Sequence, residues 1–278
     1  MVRGEARRRP GAWGASSVRR PCASRARRGE ERSLSDKPEI REHVWALLTA
    51  RRVGRFPLPL HDRVPNFAGA EAAARRLAEL PEWQAARRIK CNPDAPQRAV
   101  RLTALQQGKT VVMAVPRLRT ERCFLRLEPR TLQGKLAHAA TIKGATALGV
   151  PVAPEKIGRI DLIVAGSVAV DLTGARVGKG GGYSDLEWAL ARELRIVDDD
   201  TPVVTTVHEL QVLADTLPMT PHDVPLDVVV TPERVIRARH RPKPAGIFWN
   251  ELSEEQLAAM PALAKLRGSR KRSSRSRA

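Results

Sequence analysis

The sequence predicts a three-layer α/β/α fold of the Rossmann-like type with a mostly parallel central sheet. Short apolar runs rich in β-branched residues recur along the chain, and segments with helical periodicity separate them. Strands that are apolar throughout need cover on both faces, which the helices between parallel strands provide. We expect this α/β domain to cover residues 37–264.

The first half of the domain alternates helices and strands. Apolar residues at helical spacing predict a helix in "KPEIREHVWALLTARR", beginning at Lys37, and an Ala-rich helix in "GAEAAARRLAELPEW". A strand is predicted in "ARRIKC", a helix in "APQRAVRLTALQQG" that ends at Gly108, and a buried strand in "KTVVMAVP". The order predicts a βαβ unit.

The second half repeats the pattern. Strands are predicted at 161–170, 201–208 and 226–231, and helices at about 131–149, 183–195 and 209–216. A last helix is predicted in "SEEQLAAMPALAKL", where Ser253 and Gln256 have the spacing of a capping box.

The ends of the chain hold most of its formal net charge of +19. Residues 1–36 contain ten Arg against four acids, and residues 265–278 contain seven Lys or Arg and no acid, which leaves +6 for residues 37–264. Runs of like charge without apolar partners usually stay disordered. We therefore expect an N-terminal extension at 1–36 and a tail at 265–278, both basic and disordered. Weak nucleic-acid binding through these tails is the alternative left open.

Several classes of protein are disfavoured. No apolar run reaches the roughly 18 residues of a membrane span, and the N-terminus has no secretory apolar segment. Cys22, Cys91 and Cys123 form no CxxC pair, and the histidines lack metal-ligand spacing. We expect a cytoplasmic monomer with no membrane partner, no disulfide framework and no zinc site.

The segment "GARVGKGGGYSDLEWAL", residues 174–190, has four glycines within five residues, between a buried strand and a helix. Glycines let backbone N–H groups approach an anion, and the start of the next helix favours negative charge. Arg176 and Lys179 add positive charge, so the loop is typical of a phosphate cradle. The spacing fits neither a Walker A motif nor GxGxxG, since Tyr183 takes the place of the last glycine. A flexible loop without a ligand remains the alternative.

Three segments resemble motifs of the 5-formyltetrahydrofolate cyclo-ligase family. "RVGKGGGYSD" is similar to its R-[LV]-G-x-G-x-G-[YF]-[YSA]-D motif, "KPEIR" to its K-x-x-[LI]-R opening, and "HDVPLDVVVT" to its closing D-x-x-x-D-x-[VI]-[VI]-T segment. They occur in the family's order and cover residue 37 to about 249. The resemblance implies the NagB/RpiA/CoA-transferase-like form of the fold.

The resemblance also implies an ATP- and Mg²⁺-dependent ligase. In that family the formyl oxygen of 5-formyltetrahydrofolate attacks the γ-phosphate of ATP, and N10 then closes the ring to give 5,10-methenyltetrahydrofolate. Carried over to this sequence, the resemblance implies that Lys37, Arg41 and Arg176 neutralise charge on the transferring group. It implies that Asp185 and Asp227 bind Mg²⁺. The residues implied to bind the ATP phosphates are Gly178, Lys179, Gly180, Gly181, Gly182 and Tyr183.

Each of these roles has a structural alternative. Lys37 and Arg41 could be exposed charges on the first helix, and a carboxylate such as Asp185 is favoured in a first helical turn without any metal. Tyr183, the single tyrosine of the chain, could be a core residue or a platform for a ring.

The acceptor side departs from the family pattern. The family's P-x-E-[VI]-x-T segment, whose glutamate contacts the pterin, corresponds here to "KCNPDAPQRAVR". Asn92 and Asp94 stand there in place of the glutamate. In the family's usual Tyr-Tyr-Asp, the second residue is Ser184 in this sequence. "FPLPLHDRVPNF" and "NPDAPQR" resemble a divergent branch of cyclo-ligase-like proteins. The acceptor is therefore expected to be a reduced folate or, alternatively, another small molecule, such as a thiamin-related compound, used by an ATP-binding paralogue.

Overall fold

The computed structural model describes residues 36–115 and 118–275, with the side chains described up to Ser269. Cys22 and most of the predicted N-terminal extension lie outside the described residues. Within them the helices are α1 (Lys37–Ala50), α2 (Ala70–Ala78), α3 (Pro81–Ala85), α4 (Gln97–Gln106), α5 (Leu136–Ala139), α6 (Ile142–Leu148), α7 (Tyr183–Glu193), α8 (Glu254–Ala259) and α9 (Pro261–Arg275).

The strands form a large sheet and two small ones. In chain order they are β1 (Gly54–Arg55), β2 (Asn66–Phe67), β3 (Arg88–Cys91), β4 (Thr110–Ala114), β5 (Phe124–Leu127), β6 (Val150–Val152), β7 (Leu162–Ala165), β8 (Ala169–Asp171), β9 (Arg176–Val177), β10 (Val203–Thr206), β11 (Val212–Leu213), β12 (Val228–Val230) and β13 (Val235–Arg237).

The large sheet has the order β13-β12-β10-β7-β3-β4-β5-β6. Its five central strands, β12 to β4, run parallel, and β13, β5 and β6 pair antiparallel at the edges. The prediction of a mostly parallel sheet is confirmed. After β3 the chain moves to β4 on one side, and after β7 it moves to β10 on the other. The loops that follow these neighbours therefore diverge, which opens a crevice at their carboxyl ends.

Helices cover both faces of the large sheet. Alternate residues of β7 enter two separate clusters, Leu162 with Leu77 of α2, and Ile163 with Trp188 of α7 and Leu257 of α8. Because side chains alternate across a strand, each face needs its own helical layer. The three-layer α/β/α prediction is confirmed.

Helix α1 packs on a separate three-stranded sheet of order β11-β8-β9, where Ile40 shares a buried cluster with Ala169 and Val177. The helix begins after Asp36, whose carboxylate accepts a hydrogen bond from the N–H of Glu39 at 2.8 Å. This N-cap fixes the first turn of α1 beside the chain that leaves β9.

The segment 161–170, predicted as one strand, is two. It turns at Gly166 and Ser167, so that β7 lies in the large sheet and β8 in the small one. The Ser167 hydroxyl is hydrogen-bonded to Thr205 at 2.9 Å, and a Cβ on Gly166 would lie 2.7 Å from a carboxylate oxygen of Asp94. An apolar run cannot reveal such a turn from its composition.

Two helix predictions are also corrected. Segment 209–216 forms a 3-10 turn, Glu209–Gln211, and then β11, because Val212 pairs with Val170 of β8. Segment 131–149 is broken into α5 and α6, since Thr141 caps α6 by accepting from the N–H of Gly144 at 2.9 Å.

At the C-terminal end of the described residues, the predicted Ser253 capping box is present at the start of α8. Helix α9 continues past residue 264 to Arg275.

Among residues 36–115 and 118–275, no helix combines the length and apolarity that crossing a membrane requires.

Candidate functional site

A cavity of about 600 Å³ opens in the crevice between the loops after β3 and β7. The glycine loop after β9 and the first turns of α1 and α7 form its other walls. It brings together all but one of the residues that the sequence singled out: Lys37, Arg41, Asn92, Asp94, Arg176, Gly178, Lys179, Gly180, Gly181, Gly182, Tyr183 and Asp185.

The glycine loop leads straight into α7. Gly180 and Gly182 have φ of 111° and 65°, a region that side chains with a Cβ rarely adopt. Gly182 is the N-cap of this eleven-residue helix and offers no side-chain cap, although its carbonyl accepts from the N–H of Asp185 at 3.2 Å. The N–H groups that precede Asp185 point out of the helix start. Because the helix start also carries partial positive charge, this geometry suits an anion.

Helix α1 supplies two cations to the loop. The Nε of Arg41 donates to the carbonyl of Gly178 at 2.7 Å, and burial lowers the pKa of this guanidinium more than Asp36 raises it. The Nζ of Lys37 lies 2.5 Å from a carboxylate oxygen of Asp223. The spacing of four residues places Lys37 and Arg41 on one face of α1, toward the cavity.

Arg176 ties three parts of the site together. Its side chain is 4% exposed, and it donates to the carbonyl of Gly166 at 3.0 Å and to the Asp185 carboxylate at 2.6 Å. The same Asp185 oxygen accepts from the N–H of Val224 at 3.1 Å. The buried Nε of Arg176 has no hydrogen-bond partner among the described groups. Nη1 and Nη2 each donate one bond, and these bonds hold the guanidinium beside the glycine loop at the wall of the cavity.

Asp185 and Asp223 are neighbours in space, because Asp185 contacts the residue that follows Asp223 in the chain. No group of three or more His, Cys, Asp or Glu able to hold a metal occurs in the described part of the chain. Mg²⁺ needs no such cage, since it is usually bound by one or two carboxylates together with phosphate oxygens and waters. The two aspartates fit that requirement.

Asp227 lies elsewhere. It precedes β12, at the amino end of a parallel strand, and its carboxylate accepts from the N–H of Val203 at 2.7 Å and contacts Lys243 at 2.8 Å. Its position does not fit the predicted Mg²⁺ role. The first aspartate of the D-x-x-x-D segment, Asp223, reaches the cavity instead. The motif contains both aspartates, and only the contact of Asp223 with Lys37 of α1 distinguishes the one that reaches the cavity.

The residues predicted to bind the acceptor line the cavity in the loop after β3. The Asp94 carboxylate contacts Lys179 at 3.0 Å, which links this loop to the glycine loop. The buried Arg101 of α4 donates to the carbonyls of Asn92 and Asp94, at 2.5 and 3.2 Å, and to that of Ala140 at 2.9 Å. Arg101 thus fixes the backbone that carries both predicted acceptor residues.

A buried ion pair that the sequence patterns did not indicate lies behind this loop. Lys90 of β3 and Glu187 of α7 have side chains 6% and 7% exposed, and the Lys90 ammonium contacts a Glu187 carboxylate oxygen. A charged residue within an apolar strand was the available signal, because a buried charge requires a partner.

Asp223 is expected to titrate below the ordinary range. Burial raises the pKa of its carboxyl, but hydrogen bonds from Lys37 and Thr220 lower the pKa by more, so the net shift is downward. A depressed pKa contributes stability that is present above the unfolded value of about 3.9 and is lost as pH falls through the lower folded value. Lys37→Met is expected to raise the pKa of Asp223, which NMR titration of its carboxyl carbon would measure. An unchanged pKa in the variant would show that Lys37 does not contact this carboxylate.

The fold and the site define the class. The protein is a three-layer α/β protein in which a glycine loop and a helix start line the crevice at the carboxyl edge of the sheet. The sequence profile of the 5-formyltetrahydrofolate cyclo-ligase family matches residues 33–232, and the chain belongs to this family.

Known relatives agree with the expected divergent branch. The methenyltetrahydrofolate synthase domain-containing protein of Bos taurus is 42% identical over 243 residues, 86% of this chain and 63% of the relative, so the chain spans less than two thirds of that protein. The 5-formyltetrahydrofolate cyclo-ligase of Mycolicibacterium smegmatis is 32% identical over 140 residues, 49% of this chain and 66% of the relative. The NMR structure of Aquifex aeolicus 5,10-methenyltetrahydrofolate synthetase matches with 23% identity and a TM-score of 0.46, over 74% of this chain and 95% of that one.

Proposed function

We propose that this protein is an ATP- and Mg²⁺-dependent ligase that converts 5-formyltetrahydrofolate to 5,10-methenyltetrahydrofolate. The observation that carries the proposal is the glycine loop at the uncapped start of α7, where Arg41, Arg176 and two aspartates converge in one cavity. Membership of the cyclo-ligase family supports the substrate and the reaction type.

The reaction needs two bond exchanges. The formyl oxygen attacks the γ-phosphorus of ATP, the bond to the bridging oxygen breaks, and ADP leaves. The lone pair of N10 then attacks the formyl carbon, the C–O bond breaks to release phosphate, and N10 loses its proton. Such a transfer asks a protein mainly for positioning and charge stabilisation.

The residues of the cavity divide these tasks. The N–H groups of the glycine loop and of the first turn of α7 hold phosphate oxygens, and Arg176 and Arg41 stabilise the charge on the transferring group. Lys37 leaves the carboxylate of Asp223 and contacts a phosphate oxygen instead. Asp185 and Asp223 would hold Mg²⁺, which would neutralise charge on the phosphates.

Charge balance supports the need for metal. The described cavity residues include five carboxylates against four Lys or Arg side chains, and Lys90 behind Glu187 makes the two signs equal, so the cavity has no net positive charge to offset the negative charge of ATP. The basic residues are Lys37, Arg41, Arg176 and Lys179, and the acidic ones are Asp62, Asp94, Asp185, Glu187 and Asp223.

A second candidate is an ATP-using enzyme with another acceptor. It is favoured by the acceptor loop, where Asn92 and Asp94 stand in place of the family's pterin-binding glutamate. In this alternative the residues proposed to bind the phosphates keep their roles, and only the acceptor ring differs.

The test is a spectroscopic assay of methenyltetrahydrofolate formation from 5-formyltetrahydrofolate and MgATP. We expect turnover by the wild type and a loss of at least about 30-fold in Asp185→Asn, since removing one positioned charge commonly costs two or more powers of ten. Asp215→Asn, an exposed acid outside the cavity, is the matched control. No turnover by a wild type that binds MgATP would reject the folate reaction and favour another acceptor.

A further inference from the structure

The acceptor end of the cavity contains a buried ion pair that the proposed reaction does not use. Glu187 lines the cavity, and Lys90 lies behind it in β3. Taking two charges out of water is costly, and an apolar pair of similar volume is often as stable or more stable. A buried pair at the wall of a ligand cavity therefore calls for a role beyond packing.

Lys90 also sets the orientation of Asn92. Its ammonium lies 2.6 Å from the Oδ1 of Asn92. An ammonium has donors only, so the amide oxygen must face it and the Nδ2 group must point away. The described contact of Nδ2 is a long hydrogen bond of 3.4 Å to the hydroxyl of Ser184, which also lines the cavity. Asn92 thus offers N–H donors on the cavity side.

The pair therefore presents complementary groups next to each other. Glu187 contacts Lys90 through Oε2, which leaves Oε1 as an acceptor, and Asn92 supplies the donor. Both side chains touch the same ammonium, so they can reach neighbouring atoms of one ligand. Ala114, Val115 and Ile142 give the cavity apolar surface that suits the face of a planar ring.

We propose that Glu187 and Asn92 determine the specificity of the acceptor pocket by binding a ring edge that carries N–H donors beside a carbonyl, and that Lys90 positions both. The substrate role of that ring rests on the function proposed above. A 2-amino-4-oxopyrimidine edge, alone or fused in a pteridine, has this chemistry. A 2,4-dioxo ring places a carbonyl opposite the carboxylate, and the unpaired acceptors disfavour it.

The test uses titration calorimetry with two matched ligands, 2-amino-4-oxopteridine and 2,4-dioxopteridine. The wild type is expected to bind the amino compound at least tenfold more tightly. The double variant Lys90→Met with Glu187→Met leaves no unpaired buried charge, and Asn92→Leu removes the donor. Each is expected to lose at least tenfold in affinity for the amino compound while binding MgATP within threefold of the wild type. Glu193→Gln, on the same helix outside the cavity, is expected to bind both ligands normally.

Equal affinity of the wild type for the two pteridines, or a preference that persists in the double variant, would overturn the proposal. Preference for a single-ring 2-amino-4-oxopyrimidine over the pteridine would support the edge and identify a smaller acceptor. The assay of methenyltetrahydrofolate formation separates the two proposals. Normal turnover by the double variant would contradict the specificity proposal and leave the folate reaction standing. Glu187-dependent binding of the amino compound without turnover would contradict the folate reaction and leave the specificity proposal standing.

Discussion

Lys90→Met is expected to lower the free energy of unfolding by about 3–5 kcal/mol, because it leaves the Glu187 carboxylate buried without its cation. Lys90 and Glu187 are 6% and 7% exposed, so water replaces the lost cation only in part, from the cavity side of Glu187. Asn92 also loses the donor that faces its Oδ1. Urea unfolding followed by circular dichroism would measure the change.

The double variant with Glu187→Met provides the decisive comparison. It is expected to recover most of the lost stability, since a neutral apolar pair avoids the cost of burying two charges. Lys143→Met, at an exposed position of α6, is the matched control and is expected to change stability by less than about 0.5 kcal/mol. A single variant within about 1 kcal/mol of the wild type would mean that the pair is not buried in solution.

Gly180→Val is expected to weaken MgATP binding by at least about 100-fold. Gly180 has φ of 111°, where a β-branched residue is strained by about 1–3 kcal/mol. A Cβ there would already lie 3.5 Å from the Arg41 guanidinium carbon, so the valine methyls would displace Arg41 from the loop. Calorimetric titration with ATP and Mg²⁺ would measure the loss.

Gly108→Val separates strain from function. Gly108 has φ of 77° after the end of α4, a Cβ at this position would have no neighbouring atom within 4 Å, and the residue lies outside the cavity. Gly108→Val is expected to lose about as much stability as Gly180→Val and no affinity for MgATP. If both variants bound MgATP as well as the wild type, the glycine loop would not be the phosphate site.

The sequence predicted the parts of the site that local rules determine. Periodicity predicted the helix that carries Lys37 and Arg41, the family resemblance singled out these two residues, and the glycines before α7 marked the loop. The alternation of apolar runs and helices likewise predicted the three layers.

Features that depend on distant pairings were not predictable in this way. The apolar run 161–170 divides between two sheets because of contacts made by Gly166 and Ser167. Lys90 meets Glu187 only once β3 and α7 pack together. The choice of Asp223 over Asp227 depends on their tertiary partners, which are Lys37 of α1 for Asp223 and Lys243 for Asp227.

The near balance of charge in the cavity has a kinetic consequence. Although the chain carries a net charge of +19, the described residues around the cavity have no excess of positive charge to attract an anion at short range. Under the proposed function, nucleotide enters by swapping partners, with Lys37 leaving Asp223 and Arg176 leaving Asp185. Entry is then limited by the breaking of these contacts, so the association rate constant should lie well below the electrostatically steered range of about 10⁸–10⁹ M⁻¹s⁻¹ and depend little on ionic strength.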